Sequence, residues 1–145
     1  MLIIPNYFAN SESPLWQKMG WSPSSKQLEQ FLNLQEILIE LNTQVNLTRL
    51  IRDEDYWINQ VFDSLWPLRQ ELKNSLKPQR CIDVGTGCGF PGLAVAIALP
   101  QSEITLVDCI SRKTNAIKKI ISKLGLSSRI EVQTERIETT GHNPS

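Results

Sequence analysis

The run Asp83-Val84-Gly85-Thr86-Gly87-Cys88-Gly89-Phe90-Pro91-Gly92 packs four glycines into eight positions directly after a short apolar segment. Glycines allow a tight turn and let a ligand reach the backbone where a Cβ would block it. Cys81-Ile82-Asp83-Val84 reads as a strand that stops at this cluster. From Pro91 to about Leu99 a small-residue segment reads as a helix, with Pro91 suited to its first turn and Pro100 ending it. Glu103 to Asp108 reads as a second strand. A helix from about Arg112 to Leu124 follows, burying Ala116, Ile117, Ile120, Ile121 and Leu124, with Gly125 as its terminator. Arg129 to Gln133 is a third strand. Strands alternating with helices through right-handed crossovers give a parallel sheet flanked by helices. Ligands of such sheets bind outside the carboxyl ends of the strands, where this glycine loop lies.

Upstream the period is helical. Ser24 with Gln27 forms a capping box, and Leu28, Phe31, Leu34, Leu38 and Leu41 step by threes and fours along one stripe. Asp53 is placed to cap a second helix, with Trp57, Val61, Phe62 and Leu65 on its buried face. Residues 1–23, with Pro5, Pro14 and Pro23, read as an irregular arm. The expected organisation is an arm over 1–23, a helical region over 24–78 and a nucleotide-binding type of α/β domain over 79–145. Three strands are few for a doubly wound sheet, so the sheet is expected to continue past Ser145.

Two cofactor classes fit the loop. Gly87-x-Gly89-x-x-Gly92 matches the dinucleotide fingerprint, a pattern that is weak alone. In that design a pyrophosphate rests on the helix N-terminus. Asp83 lies inside the motif, where it would repel a phosphate. A carboxylate there better suits a ligand with amino and sulfonium charges, as S-adenosylmethionine has. Asp108 ends the second strand 23 residues past Gly85, and its carboxylate can accept both hydroxyls of a ribose. Asp83 reads as a cofactor-site residue first and a cap on the loop second. Phe90 is open between core packing and cofactor contact. No Gly-Lys-Ser/Thr follows, which excludes a P-loop.

The loop resembles the signature of the bacterial small-subunit rRNA methyltransferase G family, also called glucose-inhibited division protein B. Asn42-x-x-x-Asn46-Leu47-Thr48 and Asp63-Ser64-Leu65 upstream agree with it, as do Asp108, Arg112-Lys113 and Arg136-Ile137-Glu138 downstream. The resemblance covers about residues 24 to 140. It implies a Rossmann-like class I methyltransferase fold with an incomplete parallel sheet and a helical N-terminal extension. It also implies methyl transfer from S-adenosylmethionine to the position-7 nitrogen of a guanine in 16S rRNA. The candidate cofactor-binding residues are then Asp83, Gly85, Gly87, Phe90, Asp108, Ile137 and Glu138, with Ile137 and Glu138 flanking the adenine. Two departures stand out. Gln60 occupies a place where the family often has His. The family's later Arg-Ala motif and lysine-bearing strand do not occur, so catalytic residues are expected beyond Ser145 and turnover by this chain alone is not expected. A catalytically inert donor-binding fragment, or a nicotinamide-dependent oxidoreductase, is the alternative.

Composition constrains less. Lysine plus arginine equals aspartate plus glutamate, 15 against 15, so net charge points to no partner. The partners expected from the resemblance are small-subunit rRNA or the ribosomal subunit. Cysteine usage and the lack of a signal peptide or a bilayer-length apolar run point to a cytoplasmic protein without a membrane span; the sequence leaves oligomeric state open, with a monomer favoured. Cys81, Cys88 and Cys109 lack metal-type pairing and read as packing residues. His142 reads as a solvated bystander, and Trp16, Trp21, Trp57 and Trp66 as packing residues. Arg112, Lys113, Lys118, Lys119, Lys123 and Arg129 read first as a solvated face, with RNA phosphate contact as the alternative.

Overall fold

The structure, a computed structural model, describes residues 8–74 and 76–136. Three parallel strands, β1 (Gln79–Val84), β2 (Ser102–Asp108) and β3 (Ile130–Thr134), lie in the order β1-β2-β3. Cys81 pairs with Ile104 and Ile104 with Ile130, while Asp83 pairs with Leu106 and Leu106 with Val132. Paired residues share a face, so Ile104, Leu106 and Ile130 point together into the core cluster. Helices α6 (Gly92–Ala98) and α7 (Ser111–Leu124) are the two crossovers, and all seven residues of α6 are buried. On the opposite face of β1, Ile82 is 60% exposed and Val84 45%.

The N-terminal helices share this core rather than forming one of their own. The capping box forms as expected: Gln27 N–H donates to Ser24 Oγ at 3.1 Å and Ser24 N–H to Gln27 Oε1 at 2.8 Å. Helix α2 (Ser25–Asn42) buries Phe31, Leu34, Leu38 and Leu41 against α6 and α7, with Leu28 half-buried. Two remote side chains close the carboxyl end of α6. Gln27 donates to the carbonyls of Ile97 and Ala98, and Arg129 to those of Ala96 and Ser102.

Three expectations change. Pro14–Met19, inside the expected irregular arm, forms helix α1, capped by Ser13 and ended by Gly20 at φ 74°. Its Trp16 is fully buried against Trp21 and Trp57. Asp53 caps nothing: Arg52 holds the cap position, and Asp53 opens helix α3 (Asp53–Tyr56) at φ +46°. The second helix is also not continuous. After α3 the chain winds as a π-helix over Trp57–Phe62, resumes as α4 (Asp63–Leu65), tightens to a 3-10 turn at Trp66–Leu68 and ends in α5 (Arg69–Leu72). Trp57, Val61 and Leu65 are buried as expected, whereas Phe62 is only half-buried and stacks on Trp66.

No helix among the described residues is long and apolar enough to cross a membrane, and no group of potential metal ligands gathers among them.

Candidate functional site

The glycine loop leaves the carboxyl end of β1 and is tied down from both sides. Gly85 and Thr86 N–H groups donate to the Val107 carbonyl at 2.8 and 3.0 Å, so the chain turns across the end of β2. Gly85, Gly87 and Gly89 all have positive φ, at 71°, 60° and 99°, a conformation that costs other residues about 1–2 kcal/mol each.

The four glycines divide into two kinds. A Cβ on Gly92 would lie 2.1 Å from Leu106 Cδ2, and one on Gly89 2.4 Å from Leu93 Cδ1. Both are close-packing positions: Gly92 seats α6 on the sheet against Leu106 and Asp83, and Gly89 lets the loop lie against Leu93 of α6. A Cβ on Gly85 or Gly87 would meet nothing within 4 Å. Their conformation demands glycine, and the space beside them is open.

Two carboxylates organise the loop. Asp83 Oδ2 accepts from Thr86 Oγ1 at 2.6 Å and from Gly92 N–H at 2.9 Å. It therefore holds the two ends of the loop together, the role the sequence suggests second, while its Oδ1 has no hydrogen-bond partner among the described residues. Asp108 is 8% exposed; its Oδ2 accepts from Gly87 N–H at 2.8 Å and its Oδ1 from Ile110 N–H at 3.0 Å. A carboxylate oxygen offers two lone-pair directions, so each Asp108 oxygen keeps one acceptor site. Phe90 is half-buried and packs on the core cluster, and the Phe90–Pro91 peptide is cis. The structure thus brings Asp83, Gly85, Gly87, Phe90 and Asp108 together at one end of the sheet. Ile137 and Glu138 lie outside the described residues.

Sequence reading overlooked the roles of several neighbours. Thr86, 3% exposed, supplies the hydroxyl bound to Asp83. Gln60 Nε2 donates to Cys88 Sγ at 3.1 Å, so the π-helix reaches the middle of the loop. Burial pushes the Cys88 thiol pKa up, opposed by hydrogen bonds from Gln60 and from the Thr48 side chain among others. Thr48 is in turn held by Asn42, whose Oδ1 accepts from the Leu47 and Thr48 amides and whose Nδ2 donates to the Thr48 carbonyl. Asn42, Thr48 and Gln60 stood out in the sequence only as positions of a resemblance. Their geometry gives them work: they connect the helical region to the loop.

Comparison with known proteins decides the family. Residues 27–145 match the family described as rRNA small subunit methyltransferase G. The chain belongs to that family. A protein of Prochlorococcus marinus (strain MIT 9313) named ribosomal RNA small subunit methyltransferase G is 58% identical over 137 residues, covering 94% of this chain and 56% of its own length. One of the same name from Synechococcus sp. (strain CC9902) is 60% identical over 128 residues, covering 88% of this chain and 53% of its own. This member of the methyltransferase G family thus spans about half the length of the curated relatives it matches. A solved structure, the N-terminal domain of human METTL16, aligns with a TM-score of 0.48 at 17% identity, over 97% of this chain and 60% of that one. So loose a likeness carries no argument about the methyltransferase G site.

Proposed function

We propose that this chain supplies the S-adenosylmethionine-binding part of an enzyme that methylates position 7 of a guanine in 16S rRNA. The observation that carries the reading is the pairing of open space at Gly85 and Gly87 with a loop closed by two carboxylates. A dinucleotide needs the N–H groups at a helix start for its pyrophosphate. Here the Gly92 N–H is already taken by Asp83 Oδ2, and a second carboxylate, Asp108, lies beneath Gly87. Phosphate would meet negative charge at both points. A ligand with ammonium and sulfonium charges and a ribose, but no phosphate, fits the same donor set.

In this reading the backbone at Gly85 and Gly87 takes the donor against its bare Cα atoms. Asp108 keeps Gly87 in place through one lone pair of Oδ2 and offers its remaining acceptor sites to ribose hydroxyls. Asp83 Oδ1 is left to face the cationic end, and Phe90 closes the loop against the core. Ile137 and Glu138 belong to the proposed adenine contacts by resemblance. Bound S-adenosylmethionine supplies an electrophilic methyl group. A guanine N7 carries a lone pair and no proton, so the protein's task is alignment and electrostatic support, with no general base required. The proposed partner is small-subunit rRNA, and the proposed compartment is the cytoplasm.

Incubation with methyl-labelled S-adenosylmethionine and small-subunit rRNA, naked and within the subunit, tests the whole reading. Donor retained by the chain without transfer to either RNA is the result expected of the donor-binding part alone. Label in 7-methylguanosine would show that this part completes the transfer by itself, and label in another nucleoside, or no retention of the donor, contradicts the reading.

A further inference from the structure

Helix α7 carries Arg112, Lys113, Lys118, Lys119 and Lys123 and not one acidic residue. In a chain with 15 basic and 15 acidic side chains, that is a marked local excess. Thr114, Ala116, Ile117, Ile120 and Ile121 are its buried residues. With 3.6 residues per turn, these fall on one side, and Arg112, Asn115, Lys119 and Lys123 line up on the other with Lys118 beside them.

Arg112, Lys118, Lys119 and Lys123 are all exposed. Lys123 reaches Glu40 of α2 at 3.6 Å. Arg112, Lys113, Lys118 and Lys119 make no ion pair among the described residues. Like charges one helical turn apart, such as Lys119 and Lys123, repel and weaken a helix, so stability alone does not favour the arrangement. Position adds a second argument. Helix α7 starts at Ser111, three residues after Asp108, so Arg112 stands at the end of the sheet where the glycine loop lies. From Arg112 to Lys119 the helix rises about 10 Å. That matches roughly three phosphates along one strand of a duplex.

We infer that the outer ridge of α7 is a docking surface for the phosphate backbone of RNA, which it leads toward the glycine loop. The inference rests on the proposed RNA methyltransferase function and assigns that function a binding surface. Phosphate contacts of this kind position the nucleic acid without reading its sequence.

The test uses fluorescence anisotropy with a labelled RNA stem-loop, across a series of potassium chloride concentrations. The chain is compared with the Lys118→Gln/Lys119→Gln variant and with a control, Lys18→Gln/Lys77→Gln, that removes two exposed lysines outside α7. The α7 variant should bind about tenfold more weakly, and the slope of log affinity against log salt should flatten by about one per lysine. The control should stay within about twofold of the parent. Thermal melts by circular dichroism should coincide for all three, since none of these lysines is buried. Parent-like affinity and slope in the α7 variant, or an equal loss in the control, would overturn the inference. Donor retention is measured in parallel by dialysis. Its absence from every protein would count against the cofactor reading and leave the RNA result standing on its own.

Discussion

Gln60 donates to the Cys88 sulfur across 28 positions of sequence, and this contact fastens the π-helix to the middle of the glycine loop. Gln60 is 7% exposed, so its amide has little water to fall back on. π-helical turns are rare and often occur at functional sites. This one aims a side chain at the backbone segment proposed to hold the donor.

Gln60→Leu and Cys88→Ala should each cost about 1 kcal/mol of stability in urea unfolding. The double variant should cost less than the sum, because both changes remove the same interaction. Cys88→Ser, which keeps an acceptor, should lie closer to the parent. Strict additivity of the single changes would show that the contact has no energetic weight.

The two kinds of glycine should separate stability from binding. Gly87→Ala meets open space, so its cost is the left-handed backbone alone, about 1–2 kcal/mol. It should nevertheless abolish retention of S-adenosylmethionine. Gly92→Ala drives a methyl group into Leu106 and should cost about 3 kcal/mol or leave no folded chain. Paired melting and binding measurements on the two variants check the contrast.

Arg129 should behave as a structural cation. Burial lowers its guanidinium pKa from the ordinary value, and its two bonds reach carbonyls of Ala96 and Ser102 at 2.8 and 2.9 Å. Arg129→Met keeps the packing length and loses both bonds, at a cost of about 2 kcal/mol. Gln27→Ala, which frees the neighbouring carbonyls, should cost less. Equal stability of Arg129→Met and the parent in urea would contradict this role.

Much of the architecture was legible because its signals are local. The shift from a helical period to short apolar runs located all three strands, and Gly125 ended α7 where expected, at φ 71°. Helix α1 was missed because six residues are too few to display a period, although its caps Ser13 and Gly20 and its first-turn Pro14 were in plain view. The π-helix has no comparable sequence signature. At the site, the glycines and both carboxylates could be read directly. The partners of those carboxylates could not, since Asp108 meets Gly87 only once β2 lies beside β1. The link from Gln60 to Cys88 depends in the same way on tertiary packing.

Alkaline pH should expose another buried group. Burial raises the Tyr56 pKa well above its ordinary 10.0, and its hydroxyl donates to the Phe31 carbonyl. The folded state therefore holds this proton more tightly than the unfolded chain does. That contribution is fully present below the unfolded pKa and is lost as pH rises through the folded one. Cys88 and Cys81, raised by burial from 9.0, add losses of the same sign that set in at somewhat lower pH. The urea midpoint should thus fall above about pH 9, and Tyr56→Phe should flatten the upper part of that fall. An unchanged pH profile in Tyr56→Phe would rule out Tyr56 as a source.

The loop closed by Asp83 and Asp108 is proposed to receive a methyl donor and not a dinucleotide. Equilibrium dialysis of the chain against labelled S-adenosylmethionine, with NADH in a parallel cell and Asp108→Ala as the comparison, tests it directly. The chain should retain S-adenosylmethionine, lose at least about tenfold in affinity with Asp108→Ala, and show no preference for NADH. Tighter retention of NADH, or donor affinity indifferent to Asp108, would contradict the proposal.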